Sequence, residues 1–468
     1  MKYISTRGNV EAIGFIDTVM MGLANDGGLL IPEKIPQIPA EKLKEMSQLT
    51  YQELAYEIIS YYVAGEIPAD ELKELINKSY ATFRDPEVTP VKKVKDNMYV
   101  LELFHGPTFA FKDVALQFLG NLYSYIFKKT GETINILGAT SGDTGASAIE
   151  GVRGKDGIRI CILHPHGRVS KVQELQMTTV HDESVLNLAI KGTFDDGQRI
   201  IKELFADLEF KNKYSLRAIN SINFARILAQ TVYYFYAYFQ VTKAGDIKSL
   251  NFSVPTGNFG DIFAGFLAKR MGLPIGKLIV ATNENNILER FIKDGVYKPG
   301  EFRSTYSPSM DIQVASNFER YLYYLLDENA KEVSALMDQF KAEGQIVVGE
   351  TQLRQVQADF AAHGVAGEDC LKTISKYYNE TGYLLDPHTS CGVAAYETCS
   401  APEEVCVTLA TAHPAKFNES ISLCDIEQIY PEQINQLFEK PQYLEVVEAD
   451  NDVIASRLEK HFNTSVAQ

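Results

Sequence analysis

Seven short runs rich in β-branched and aliphatic residues punctuate the chain: "NMYVLELF", "TINILGA", "IRICILH", "SVLNLAIKG", "LNFSVP", "KLIVATN" and "EVCVTLATA". Longer stretches with apolar residues three and four apart lie between them, and this alternation calls for parallel sheets covered by helices on both faces. Several runs end in loops of Gly, Ser, Thr or Asn, which in an open α/β sheet is the carboxyl edge where ligands bind. At 468 residues the chain exceeds the roughly 250–300 residues at which a single core stops growing, so two or more domains are expected.

From Glu41 to Phe83, apolar residues at helical spacing are broken only by "AGEIP", which predicts a helical N-terminal region. The aromatic stretch "TVYYFYAYFQV" has no Lys or Arg among its rings. A base-stacking surface would carry such cations, so a buried helix is predicted instead. The net charge of −16 opposes a polyanion-binding surface, and no nucleic-acid partner is expected. Neither a leader peptide, since Glu11 and Asp17 interrupt the first apolar residues, nor an apolar run of about 18 residues for a membrane span is found. The six cysteines include no C-x-x-C pair; they read as reduced thiols of a cytoplasmic protein.

Three loops can carry chemistry. In "TINILGATSGDTGASAIEG" a strand runs into Thr140, Ser141, Gly142, Asp143 and Thr144 before a small-residue helix. Its N–H groups and hydroxyls at a positive helix end suit an anion or carboxylate, although a plain N-cap looks the same. Neither G-x-G-x-x-G nor G-K-S/T occurs there. "LNFSVPTGNFGDIFAGFLAKRMG" repeats the design, with Gly257 and Gly260 letting the backbone close around phosphate oxygens and Asn258 adding a donor. In "HGPTFAFKDVALQFLG", Lys112 stands at a helix start between two phenylalanines and Asp113. An isolated lysine there ordinarily snorkels. The helix dipole and the apolar rings nevertheless depress its pKa, and a neutral amine is a nucleophile. Paired with a phosphate cradle, it is what a lysine that carries pyridoxal phosphate needs.

"HGPTFAFKDVALQFLG", "GATSGDTG", "SINFARILAQ", "PTGNFGDIFAG" and "ATAHPAKF", in that order, together resemble the threonine synthase family of pyridoxal phosphate enzymes with fold type II, the tryptophan synthase β-like fold. "YISTRGN" and "DGGLLIPE" extend the likeness from residue 3 to about 420. The resemblance implies an N-terminal region over 1–95 and a catalytic region of two α/β subdomains over 96–420; the mixed pattern after Phe417 reads as a helical tail, taken as 421–468, packing on the body.

It also implies roles. Lys112 would hold the cofactor and then move protons, Gly257, Asn258, Phe259 and Gly260 would bind the cofactor phosphate, and Asp261 would close the turn. Thr411 would meet the pyridine nitrogen with a neutral hydroxyl. Thr140, Ser141, Asp143 and Thr144 would face the amino-acid substrate. Arg168, Lys171 and Arg226 are candidates for the leaving phosphate, with Asn223 in the same motif as Arg226; each basic residue reads equally as surface or capping charge. The implied reaction turns O-phospho-L-homoserine and water into L-threonine and phosphate, in a monomer or homodimer. His164 and His166 lack nearby Cys or acidic ligands and read as loop residues, with no metal.

Two rivals remain at this level. A threonine or serine dehydratase, or a cysteine synthase, shares the lysine and the cradle but carries Ser or Ala with Asn where this chain has "TSGDT". A non-catalytic homologue that binds a phosphorylated metabolite has no need of Lys112, Asn258 and Thr411. Phe224 stands where the family often has Trp, and "DPHTSCG" carries Ser390 and Cys391 where smaller or apolar residues are common. The long extension of plant-type enzymes activated by S-adenosylmethionine is not seen, so such activation is not expected.

Overall fold

The computed structural model describes residues 1–243, 247 and 249–463. The seven predicted runs all become strands, divided between two main sheets. The larger sheet has the order Phe360–Gly364, Ile275–Thr282, Leu250–Pro255, Cys406–Ala410, Met98–Glu102 and Val91–Lys95. Its strands are parallel except for Val91–Lys95, an antiparallel edge. The smaller sheet, wholly parallel, has the order Glu445–Glu448, Val185–Lys191, Ile158–Pro165, Ile134–Ala139 and Leu216–Ala218. Leu250–Pro255 and Ile158–Pro165 are buried at every position, the signature of strands covered on both faces.

The aromatic stretch lies in the helix Phe224–Thr242, where Thr231 through Ala237 are buried. The N-terminal helix Tyr51–Val63 packs against it, with the Tyr51 ring edge-on to Tyr236 at 5.3 Å, and Ala69–Tyr80 packs on Tyr51–Val63 and on the helix Lys112–Thr130. A capping box between Thr50 and Glu53 starts the first of these helices, satisfying two end N–H groups that would otherwise lack partners.

Two features differ from the sequence reading. The tail expected to be helical also supplies the strand Glu445–Glu448, whose Val447 is buried while its neighbours are exposed. It borders the smaller sheet in parallel with Val185–Lys191; a four-residue strand with charged ends is too short to stand out by alternation. Residues 464–468 of that tail lie outside the described residues. His164, expected in a loop, is fully buried inside the strand Ile158–Pro165, whereas His166 is exposed beyond it. Among the described residues no helix is long and apolar enough to cross a membrane.

One crossing positions the site. The helices Lys112–Thr130 and Asp143–Val152 meet through Gly120 and Gly151. A Cβ on Gly120 would overlap the Gly151 carbonyl, and one on Gly151 would come within 2.6 Å of the Leu116 carbonyl. The two helices therefore touch backbone to backbone, which brings their first residues, Lys112 and Asp143, together. Gly120→Ala should gain helix propensity yet lose more by overpacking, about 1–3 kcal/mol net, seen as a lower urea-unfolding midpoint.

Candidate active site

The loop before Lys112 is tied down at both ends. The Thr108 N–H and hydroxyl donate to the Asp113 carboxylate at 2.7 and 2.6 Å, and a Cβ on Gly106 would overlap Asp113. Phe109 adopts a left-handed φ of 60°, a strained conformation for a bulky residue. It is compensated by the Arg84 guanidinium 3.5 Å from its ring and by the edge of His413 at 5.5 Å. Next to it, the Phe111 N–H donates to the Thr411 carbonyl at 2.8 Å and the His413 N–H to the Phe109 carbonyl at 3.0 Å. The end of the strand Cys406–Ala410 is thereby stitched to the residues that precede Lys112.

Lys112 enters a buried ionic cluster. Its Nζ lies 3.8 Å from Asp143 Oδ2, and Lys416 Nζ lies 2.6 Å from Asp143 Oδ1. Gln173 donates to Oδ1 at 2.8 Å and the Ser309 hydroxyl to Oδ2 at 3.2 Å. Lys416 also donates to the Thr108 carbonyl at 2.8 Å. The Lys112, Asp143 and Lys416 side chains are 9%, 4% and 0% exposed, so their charges survive only because they are paired and hydrogen-bonded. Burial lowers Lys112 to about 8; Asp143 opposes that, while Lys416 and Arg226 add to it. Burial alone would raise Asp143, but the two ammonium groups and the Gln173 hydrogen bond overcome it and hold the carboxyl well below its usual range.

The second loop has the form of a cradle. Phe259 takes a left-handed φ of 66° and buries its ring against Phe318 and Phe360, which turns the chain into the helix Gly260–Arg270. The Gly260 N–H donates to Asn258 Oδ1 at 3.0 Å, and the Asn258 carbonyl accepts from the Asn317 N–H at 2.9 Å. A Cβ on Gly257 would stand 3.0 Å from the Ser309 carbonyl and 2.9 Å from Ile312 Cδ1, so a larger residue there would press the turn away from its wall. Close by, Arg226 is 2% exposed and its Nε and Nη1 have no hydrogen-bond partner. Burial lowers this guanidinium to about 10. A desolvated cation with idle donors awaits an anion. A buried amine near neutrality, a glycine turn at a helix start and an unpartnered guanidinium together fit pyridoxal phosphate and a phosphorylated substrate.

Not every sequence candidate joins the cluster. Arg168 and Lys171 are exposed, and Lys171 pairs with Glu174 at 3.2 Å. Asn223 caps the helix Phe224–Thr242 and donates to the Val19 carbonyl at 2.9 Å, fastening the N-terminal region. Thr140 uses its hydroxyl to accept from the Gly142 and Gly145 N–H groups at 3.0 and 2.9 Å, which shapes the turn. Ser141 is exposed and Thr144 half-buried. Asp261 sits beneath the cradle, where its carboxylate accepts from the Tyr233 and Tyr234 hydroxyls at 2.6 and 2.9 Å. The sequence reading passed over Lys416, although "ATAHPAKF" contains it, and Ser309, which no pattern marks.

Lys416→Met should leave Asp143 with a single ammonium, costing about 3–5 kcal/mol of stability. Freed from the repulsion of Lys416, Lys112 should titrate above its present value of about 8, as measured by the pH dependence of trinitrobenzenesulfonate labelling in the cofactor-free protein. Asp261 offers a second test, because burial pushes its carboxyl up to about 6. A folded value above the unfolded one means that protonation stabilises the fold, and this contribution fades as pH rises through about 6. From about pH 4 to about pH 8, Asp261→Asn should therefore lose roughly 2–3 kcal/mol less stability than the parent chain in urea titrations.

Comparison with known proteins agrees with this geometry along the whole chain. A profile described as pyridoxal-phosphate dependent enzyme matches residues 86–411. It is flanked by profiles described as threonine synthase N terminus, over residues 2–80, and threonine synthase, C-terminal, over residues 389–457. The threonine synthase of Schizosaccharomyces pombe is 46% identical, covering 90% of this chain and 89% of its own. That of Pseudomonas aeruginosa is 45% identical over 99% of both. The crystal structure of threonine synthase from Brucella melitensis with bound PLP superposes with a TM-score of 0.96 at 42% identity, covering 99% of this chain and 100% of that one. With a buried lysine, a glycine cradle and an unpartnered arginine all present, and relatives of this name along its full length, the chain belongs to the threonine synthases, within the pyridoxal-phosphate-dependent enzymes of fold type II.

Proposed function

We propose that the Lys112 cluster converts O-phospho-L-homoserine and water into L-threonine and phosphate. The observation that carries this reading is the buried Lys112 amine, lowered to about 8 and set 3.8 Å from Asp143. When bound, pyridoxal phosphate supplies the electron sink that makes the Cα and Cβ protons of an amino acid removable at neutral pH.

The protein's own groups do the rest. The α proton and then a β proton must leave, phosphate must depart from Cγ, a proton must be delivered to Cγ to make the methyl group, and water must add at Cβ before a proton returns to Cα. An amine titrating near 8 can accept a proton and give it back in the same turnover. Asp143 supports Lys112 in its protonated form, and Lys416 keeps Asp143 ionised so that the carboxylate does not take the proton itself. Two anions need holding. The turn of Gly257, Asn258, Phe259 and Gly260, opening a helix, suits the cofactor phosphate. That leaves the idle donors of Arg226 for the substrate phosphate and the Thr140 to Thr144 turn for its carboxylate. The exposure of Arg168 and Lys171 weighs against them. A neutral Thr411 hydroxyl at the ring nitrogen would leave that nitrogen less firmly protonated than a carboxylate would. Asp261 would act indirectly, by holding the turn through Tyr233 and Tyr234.

The near-complete burial of the ionic cluster implies that the smaller sheet's domain opens to admit substrate and closes to exclude stray water. We divide the chain into an N-terminal region to residue 95, the catalytic region to about 420, and the tail. The chain is proposed to act as a monomer or homodimer. Six free cysteines support a reducing compartment, the cytoplasm.

Borohydride reduction of the cofactor-loaded protein, followed by peptide mapping, should place a pyridoxyl adduct on Lys112, and Lys112→Ala should release no phosphate from phosphohomoserine above background. An adduct on another residue, or undiminished phosphate release by the variant, would falsify the reading. Arg226→Gln, losing one or two charge-assisted hydrogen bonds, should lower kcat/KM by about 10- to 100-fold or more.

A further inference from the structure

Asp386 opens the helix Pro387–Cys399 and accepts from the His388 and Thr389 N–H groups at 2.9 and 3.1 Å. The same carboxylate lies 2.7 Å from His388 Nδ1. On its other side, His388 Nε2 lies 3.1 Å from the backbone nitrogen of Ser309. A backbone N–H can only donate, so Nε2 is the acceptor, and Nδ1 carries the proton that it gives to Asp386. Both residues are buried, 1% and 2% exposed. The ring also stands edge-on to Phe417 at 4.8 Å, the residue after Lys416.

We propose that His388, oriented by Asp386, is a positioning residue for the reaction, fixing Ser309 so that its hydroxyl holds Asp143 toward Lys112. Ser309 lies in a single short turn, Pro308–Met310, within an otherwise irregular segment. Two residues beyond it, Asp311 is anchored by Asn283, Asn285 and Thr305. At Ser309 itself the backbone N–H is held by His388. From there the segment reaches both halves of the site: the Ser309 hydroxyl donates to Asp143 Oδ2 at 3.2 Å, and the Ser309 carbonyl forms the wall 3.0 Å from a Cβ on Gly257. A chain of hydrogen bonds thus runs from Asp386 through His388 and Ser309 to Asp143, crossing from the larger sheet's carboxyl edge to the smaller domain. Misplacement of a reacting group by about 1 Å costs on the order of 100-fold in rate, which gives such a distant contact its leverage.

The inference rests on Lys112 as the cofactor lysine, and its test separates the two ideas. Hydrogen exchange by mass spectrometry on the full chain, without cofactor, reads the contacts directly. His388→Leu should speed exchange in residues 305–312 and 140–146 together, whereas His388→Gln, which keeps an acceptor for the Ser309 N–H, should stay within about twofold of the parent in both. Ser309→Ala, which keeps the backbone N–H and loses only the hydroxyl, should speed exchange in 140–146 alone. In turnover, His388→Leu and Ser309→Ala should each lower kcat by ~10- to 100-fold with KM little changed, and Gln at 388 should restore most of it. Unchanged exchange at 140–146 in Ser309→Ala, or a Gln variant as impaired as Leu, overturns the proposal. Failure of Lys112 to form the pyridoxyl adduct in the parent protein would instead sink the reading beneath it.

Discussion

Asp143 has both carboxylate oxygens buried, and a carboxylate stays ionised in such surroundings only where cations and hydrogen-bond donors enclose it. Here the enclosing groups come from four separated parts of the chain: Lys112, Gln173, Ser309 and Lys416. The requirement to satisfy one anion therefore sets the relation of the two sheets to each other. The same geometry places an easily deprotonated amine, Lys112, beside it.

The surrounding fold can be understood as the means of holding these groups in register. Backbone contact between Gly120 and Gly151 brings two helix starts together. The pairing of Phe109 and Phe111 with Thr411 and His413 fixes the end of the strand Cys406–Ala410 to the loop before Lys112, and Lys416 follows within the next turn. Strain is accepted at Phe109 and Phe259, each at the edge of the site and each compensated by ring packing, as expected where function rather than stability selects the conformation.

Much of this architecture was legible in the residues. The alternation of apolar runs and helical spacing identified the seven strands that form most of both sheets, because strands buried on both faces read as continuous apolar runs. Lys112 and the Gly257 to Asp261 turn were visible for a related reason: a lysine among aromatics and paired glycines around an Asn depart from what an ordinary loop requires. Val91–Lys95, Leu216–Ala218, Phe360–Gly364 and Glu445–Glu448 were not legible, being short or half-polar edge strands whose position in the sheet is set by tertiary packing. The partners of Asp143 were hidden on the same ground. Nothing local distinguishes Ser309 from any other serine, and whether a basic residue points inward, as Arg226 does, or outward, as Lys171 does, is decided by tertiary packing.

The order of strands in the larger sheet has a consequence for the growing chain. Met98–Glu102 lies between Val91–Lys95 and Cys406–Ala410, so one of its neighbours is available at once and the other only when synthesis is nearly complete. At roughly 5–20 residues per second that delay amounts to on the order of tens of seconds. An apolar strand edge left open so long invites pairing with other nascent chains. The strand that does arrive early carries Lys92, Lys93 and Lys95, and lysines on a sheet edge repel strangers. A sequence of "VKKVK" thus shields the outer edge of the early hairpin on the ribosome, while its inner edge stays open until Cys406–Ala410 arrives.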